Sequence, residues 1–234
     1  MRQPSLCAVV SAAIVAVAFT GTSAQVSERE TVGEVAALPR TVPIFPLKDV
    51  VLFPNSSRPL YIFEPRYRDM VADALEGDGI IGMVLLQPGY QTDYEGRPPV
   101  YDIGCAGLIT DSEELPDGRY LIVLEGLVKF RVVEENHSRS YRLAEVESIP
   151  ELIDDDLRQV LSSRREQLSE MLSTISRGSS LVPESLSDTE FVDTLAQGLQ
   201  LDPADRQILL ERENQVERAE MLMEILSHQL SVPL

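Results

Sequence analysis

The sequence predicts an α+β protein: a strand-rich region, residues 40–150, with one inserted helix, then a helical region, residues 151–234. Three observations predict it. Short runs of β-branched and aliphatic residues, bounded by turn residues, recur up to Pro150. A proline-led stretch from Pro65 switches abruptly to helical spacing. Beyond Pro150 the apolar residues recur every three or four positions, as on amphipathic helices. With 44% hydrophobic residues the chain can bury a core, and 6% aromatics without Trp make that core aliphatic.

The chain begins with Arg2, an apolar stretch from Leu6 to Phe19, and the small residues Thr22, Ser23 and Ala24. That is the order of a secretory signal, cleaved after Ala24. The apolar stretch is too short for a comfortable membrane span, so no stable membrane anchor is expected after cleavage. On this reading residues 1–24 are a signal and the protein is exported, periplasmic or secreted. The rival reading is a gene start near Val32 or Val35 and a cytoplasmic protein. Residues 25–39 read as a polar linker.

Strands are expected at Val42–Leu47, Pro59–Phe63, Ile80–Gln87, Gly104–Thr110, Tyr120–Glu125, Leu127–Glu134 and Arg142–Ile149. Leu115-Pro116-Asp117-Gly118 is a turn joining two antiparallel strands. Gly126 interrupts a continuous strand pattern and marks a bulge or barrel corner. The stretch from Gln87 to Pro99 reads as an exposed loop. The inserted helix starts at Pro65, carries Met70, Val71, Ala74 and Leu75 on its apolar side, and ends at Gly77.

The helical region opens with an acidic first turn, Asp154-Asp155-Asp156, which suits the positive end of a helix dipole. A long helix follows, with an apolar face from Leu157 to Ile175, and Arg177–Ser180 break it. Ser187 and Glu190 form a capping-box pair before Phe191. Asp202-Pro203 opens a short helix, and Asn214 with Glu217 caps the last one.

Composition excludes several functions. The formal charge is −18, and removing residues 1–24 would make the chain more negative, so no nucleic-acid partner is expected. The two cysteines are Cys7, in the leader, and Cys105, in the apolar run IGCAGLI, so Cys105 reads as a small core residue. His137 and His228 are too far apart in sequence to suggest a metal site, and no metal or cofactor is expected. Asp111, Glu113 and Glu114 read as a solvated loop. Glu64 and Arg66, flanking Pro65, read as an ion pair fixing the helix entrance.

Two spaced signatures and a tail carry a family resemblance. P-I-F-P-L-K-D-V-V-L-F-P at Pro43–Pro54, then R-P-L-Y-I-F-E-P-R-Y at Arg58–Tyr67, closely resembles the LON substrate-binding domain, the amino-terminal domain of ATP-dependent Lon proteases. I-G-C-A-G-L-I at Ile103–Ile109 and L-P-D-G-R-Y-L-I-V-L-E-G-L-V-K-F-R-V at Leu115–Val132 resemble the family's glycine-containing strand, turn and closing hairpin. Thr194–Leu210 is similar to the helical tail of short bacterial stand-alone LON-domain proteins. The resemblance implies a PUA-like pseudo-β-barrel with a helical subdomain, and a role in holding unfolded or tagged polypeptides. Within it Glu64, Pro65, Arg66, Tyr67, Gly104, Gly107, Gly118 and Gly126 are expected to maintain the fold.

Lon's enzymatic parts do not carry over. Its ATPase needs a glycine-rich loop ending in Gly-Lys-Ser/Thr, yet the two lysines follow Leu47 and Val128. Its protease pairs a serine with a lysine, and both lysines here, Lys48 and Lys129, fall in the region matching the binding domain. The expectation is a non-catalytic module, an adaptor or chaperone-like protein, that binds unfolded or extended polypeptides through accessible aromatic contacts at Phe53, Pro54, Tyr61, Tyr90 and Tyr94. The alternatives are a structural module docking to a protein partner through its C-terminal helices, Leu168–Ile175 and Met221–Leu230, and a cryptic hydrolase. The oligomeric state is left open.

Overall fold

Five of six strands close on themselves. A computed structural model describes residues 38–93, 96–136, 138–175, 183 and 185–231. The leader, most of the linker, Tyr94, His137 and the break at 177–180 lie outside the described residues. The strands are β1 (Thr41–Leu47), β2 (Ser57–Ile62), β3 (Ile80–Leu85), β4 (Ile103–Glu114), β5 (Tyr120–Asn136) and β6 (Arg142–Ile149). Their order is β2-β5-β4-β3-β1-β6, and β5 also pairs with β6. That last pairing joins β5, β4, β3, β1 and β6 in a ring, with β2 outside it. Among the described residues only β1 and β3 pair in parallel, because α1 (Pro65–Glu76) and β2 are threaded between them. The α+β expectation holds.

Strand β5 makes the ring possible. Its second half, from Lys129 on, pairs with β4 on one side and β6 on the other. Its first half pairs with the outer end of β4 and with β2. The two expected strands on either side of Gly126 are therefore one. Ala106 pairs with Val128 but Gly107 pairs with Gly126, so Leu127 is the extra residue of a bulge at the bend. A Cβ on Gly126 would collide with the Phe53 carbonyl, so the loop after β1 lies against the bare backbone there. Gly118, at φ +77°, completes the turn joining β4 to β5, and its N–H donates to the Leu115 carbonyl at 2.7 Å.

Asp111, Glu113 and Glu114 are strand, not loop, because β4 continues to Glu114. Their partners Val123, Leu121 and Tyr120 hold them in an outer hairpin arm, where charged side chains stay in water.

Alternate residues of the five ring strands point into the lumen. Ile44, Val84, Ala106, Phe130 and Ala144, one from each strand, fill it. The opposite faces carry Phe45, Met83 and Cys105, which join a second core shared with the helices. These helices are α2 (Asp155–Ile175), α3 (Asp188–Gly198), α4 (Pro203–Leu210) and α5 (Gln215–Ser231). Leu161, Leu168 and Leu172 of α2 meet Leu222 and Leu226 of α5 within this core. Their start signals operate much as expected. Ser187 and Glu190 make a reciprocal capping box, Asp154 accepts from the Leu157 N–H at 2.8 Å, and Asn214 accepts from the Val216 N–H at 3.0 Å. Asp202 precedes α4 without a side-chain cap, so Pro203 alone sets that start.

Candidate functional site

The expected aromatic contacts separate into different environments. Phe53 and Pro54 are buried, which corrects their reading as accessible contacts. Their loop is held down by α3: the Phe53 N–H donates to Gln197 Oε1 at 3.2 Å, and Ser56 Oγ donates to the Phe53 carbonyl at 2.6 Å. Asn55 takes a left-handed conformation, φ 54°, and its amide donates to Asp193 at 2.8 Å. Tyr90 is half-buried against the lumen cluster. Tyr61 is 44% exposed and stands on β2.

Tyr61 belongs to a larger apolar face. Residues pointing the same way on paired strands form rows: Tyr61, Leu121 and Glu113 in one, Pro59, Val123 and Asp111 in the next. Leu121 is 42% exposed and Phe63, just beyond β2, is 58% exposed. The Tyr61 and Phe63 rings lie 6.0 Å apart, and the Arg119 guanidinium sits 5.2 Å from the Tyr61 ring centre. The rows line an open groove of about 390 Å³, apolar in the middle and acidic along the β4 border. Among the described residues β2 pairs only with β5, so its other edge is open. Sequence reading found Tyr61 but missed Pro59, Phe63, Leu121 and Val123. A strand with apolar residues on both faces was the available signal, since only one face can enter the core.

A second constellation is buried. Lys129 on β5 pairs with Glu151 at 2.7 Å, and Arg218 on α5 pairs with both Glu151 and Asp193 of α3. Gln215 donates to Glu151 at 2.7 Å, and Arg218 Nε donates to the Leu209 carbonyl at 3.1 Å. All four charged groups lie at the seam between ring and helices, almost without solvent. Burial pushes the Asp193 carboxyl up to about 6 against the pull of Arg218, and lowers the Lys129 ammonium against the pull of Glu151. The Lys129 ammonium also donates to the Arg212 carbonyl. This lysine is an internal tie.

The remaining candidates are structural. Arg66 pairs with Glu64 at 2.9 Å, as expected, and stacks 4.6 Å from the Tyr67 ring centre. Cys105 is fully buried, and burial pushes its thiol far above the ordinary range, so it stays a thiol. Gly104 and Gly107 lie inside β4. Among the described residues no group of three or more His, Cys, Asp or Glu could hold a metal ion.

Comparison with known proteins bears on this arrangement. A family model described as the ATP-dependent protease La (LON) substrate-binding domain matches residues 41–228. The chain is 28% identical to the Lon protease of Trichlorobacter lovleyi over 201 residues, covering 82% of this chain and 24% of that one. It is 27% identical to the Lon protease of Escherichia coli over 199 residues, 82% of this chain and 25% of that one. The chain thus spans about a quarter of the length of these relatives. Among solved structures, the N-terminal domain of a Mycobacterium avium complex Lon protease superposes with a TM-score of 0.60 at 19% identity, over 80% of this chain and 98% of that one. A Lon N-terminal domain protein from Xanthomonas campestris does so with a TM-score of 0.55 at 24% identity, over 79% and 97%. At such identities the likeness establishes the fold.

Proposed function

The chain belongs to the LON substrate-binding domain family, and from that premise we propose that it is a non-catalytic module binding extended or unfolded polypeptides. One observation carries the reading: an apolar surface, with Tyr61, Phe63 and Leu121 exposed and Pro59 and Val123 beside them, next to an open strand edge. Exposed apolar surface of this kind is costly to keep unless a partner covers it. Pro59 removes one of β2's main-chain donors, so side-chain contact with the face contributes more than strand addition. The carboxylates of Asp111 and Glu113 and the charge of −18 favour clients with basic residues among apolar ones.

The matched portion of the Lon relatives is the substrate-binding domain, which fits a role without catalysis. Lys129, one of the chain's two lysines and so a candidate for a Ser–Lys pair, is committed to Glu151. Docking through the C-terminal helices has less support, because Leu168, Leu172, Leu222 and Leu226 are buried within the protein.

A peptide array probed with the purified protein tests the reading. We expect binding at tens of micromolar to segments mixing Lys or Arg with Leu, Phe or Val. Uniform silence at that concentration contradicts it. The leader reading adds that the protein works after export. The intact mass of the native protein should then lack Met1–Ala24, and a start near Val32–Val35 contradicts export.

A further inference from the structure

A cleft of about 430 Å³ lies between the N-terminal end of α1, the end of β1 and the start of β6. Pro46, Tyr67 and Leu86 give it apolar walls, and Arg66, Arg97 and Arg142 give it three guanidinium groups. Arg66 and Arg142 are each paired with a carboxylate, so among the described residues Arg97 is the guanidinium of this cleft that lacks an ion-pair partner. The nearby carboxylates already have cationic or hydroxyl partners. Glu64 pairs with Arg66, Glu135 with Arg142, Asp69 accepts from Ser140, and Asp73 accepts from Tyr141.

Donors remain. Among the described residues, Arg97 Nη1 is buried with no hydrogen-bond partner, and Nη2 makes only a long contact to the Arg139 carbonyl, 3.4 Å. Arg142 uses three of its five N–H groups, two on Glu135 and one on the Pro98 carbonyl. Helix α1 begins here at Pro65 with no side-chain cap, and the carboxylate at its start, Glu64, is engaged by Arg66. An unpaired buried guanidinium N–H is costly, and a carboxylate oxygen would satisfy it.

The cleft and the outer apolar face are joined along the chain by the end of β2. Glu64, on its wall, is three residues from Tyr61, a span of at most about 10 Å, and Phe63 lies between them. We infer that this cleft is a carboxylate subsite, taking the free C-terminal carboxylate of a polypeptide whose preceding residues lie on the β2–β5 face. The inference rests on the reading of that face as the polypeptide-binding surface. An apolar last residue would sit against Tyr67 and Leu86 while the guanidinium groups hold its carboxylate. Clients would then be selected by their ends as well as by their composition.

The test uses two labelled ten-residue peptides of one sequence, rich in Leu, Phe and Lys, one ending in a free acid and the other in an amide. Fluorescence anisotropy measures both against the wild-type protein and Arg97→Gln. Among the described residues Arg97 makes one long hydrogen bond, so its replacement should fold, which a circular-dichroism melt checks. The free acid should bind roughly tenfold tighter than the amide. R97Q should bring the acid to the amide's affinity and leave the amide unchanged. Equal affinity of the two peptides for wild type overturns the subsite and leaves the apolar face standing. Equal weakening of both by R97Q also overturns it. Failure of both peptides to bind folded wild type overturns the subsite together with the reading it rests on.

Discussion

The seam between ring and helices and the outer face of β2, β5 and β4 break the usual distribution of residues in opposite ways. At the seam, two cations and two anions, Lys129, Arg218, Glu151 and Asp193, are withdrawn from water. On the outer face, Tyr61, Phe63 and Leu121 are left in it. Buried charge is costly to desolvate and is tolerated only with full pairing, so the seam groups depend on one another. Exposed apolar side chains depend on nothing else in the fold, so the face is free to serve a partner. The difference teaches where to look for each role: substitutions at the seam should change stability, and substitutions on the face should change binding.

The largest effect is expected from Arg218→Ala. It leaves Asp193 without a cationic partner and Glu151 with Lys129 alone, and should cost about 3–5 kcal/mol. In a domain of this size that lowers Tm by about 2–4 °C per kcal/mol, read in a thermal melt. Whatever fraction remains folded should keep its client affinity. Loss of binding out of proportion to unfolding would mean the two regions are coupled.

Leu121→Asp sharpens the other half. It puts a third carboxylate in the groove with Asp111 and Glu113 and should weaken client binding at least tenfold, about 1.4 kcal/mol. Its stability should fall by no more than about 1–2 kcal/mol in urea, well below the loss at the seam, because the side chain is 42% exposed. A large stability loss would show that the face belongs to the core after all.

Two smaller effects separate the helices from the ring without touching either region. Ser187→Ala removes half of the α3 capping box and should cost about 1 kcal/mol in urea unfolding. The Tyr141 hydroxyl donates to Asp73 at 2.6 Å, and burial with that bond raises it from 10.0 to about 12. The folded value lies above the unfolded one. Its contribution is therefore complete below pH 10 and is lost as pH rises towards 12. Tyr141→Phe should flatten that part of the stability profile, and an unchanged alkaline slope would contradict the assignment.

Much of the fold was legible because its signals are local. Aliphatic runs with placed turns marked the strands, Pro65 marked the helix entrance, and Ser187 with Glu190 marked α3. Strand closure was less legible, since the pairing of β5 with both β4 and β6 links distant residues. The outer arm of β4 was hidden because Asp111–Glu114 face water and so lack an apolar pattern. Phe53 and Pro54 look accessible beside turn residues, yet what covers them, Gln197 on α3, is 144 positions away. The seam could not be read at all. Lys129, Glu151, Asp193 and Arg218 are unremarkable singly, and only the fold brings them together. Of the candidate site, Tyr61 was legible as an aromatic in a strand-rich motif, but its neighbours required knowledge of which β5 face looks outward.

Amide chemical-shift mapping addresses the central claim most directly. An isotope-labelled sample would be titrated with an unlabelled basic, apolar peptide and the shifts assigned residue by residue. The largest changes should fall on Ser57–Phe63, Leu121–Val123 and Asp111–Glu113, with the seam residues Lys129, Asp193 and Arg218 undisturbed. Saturable shifts confined to α2–α5, with β2 and β5 silent, would contradict the account.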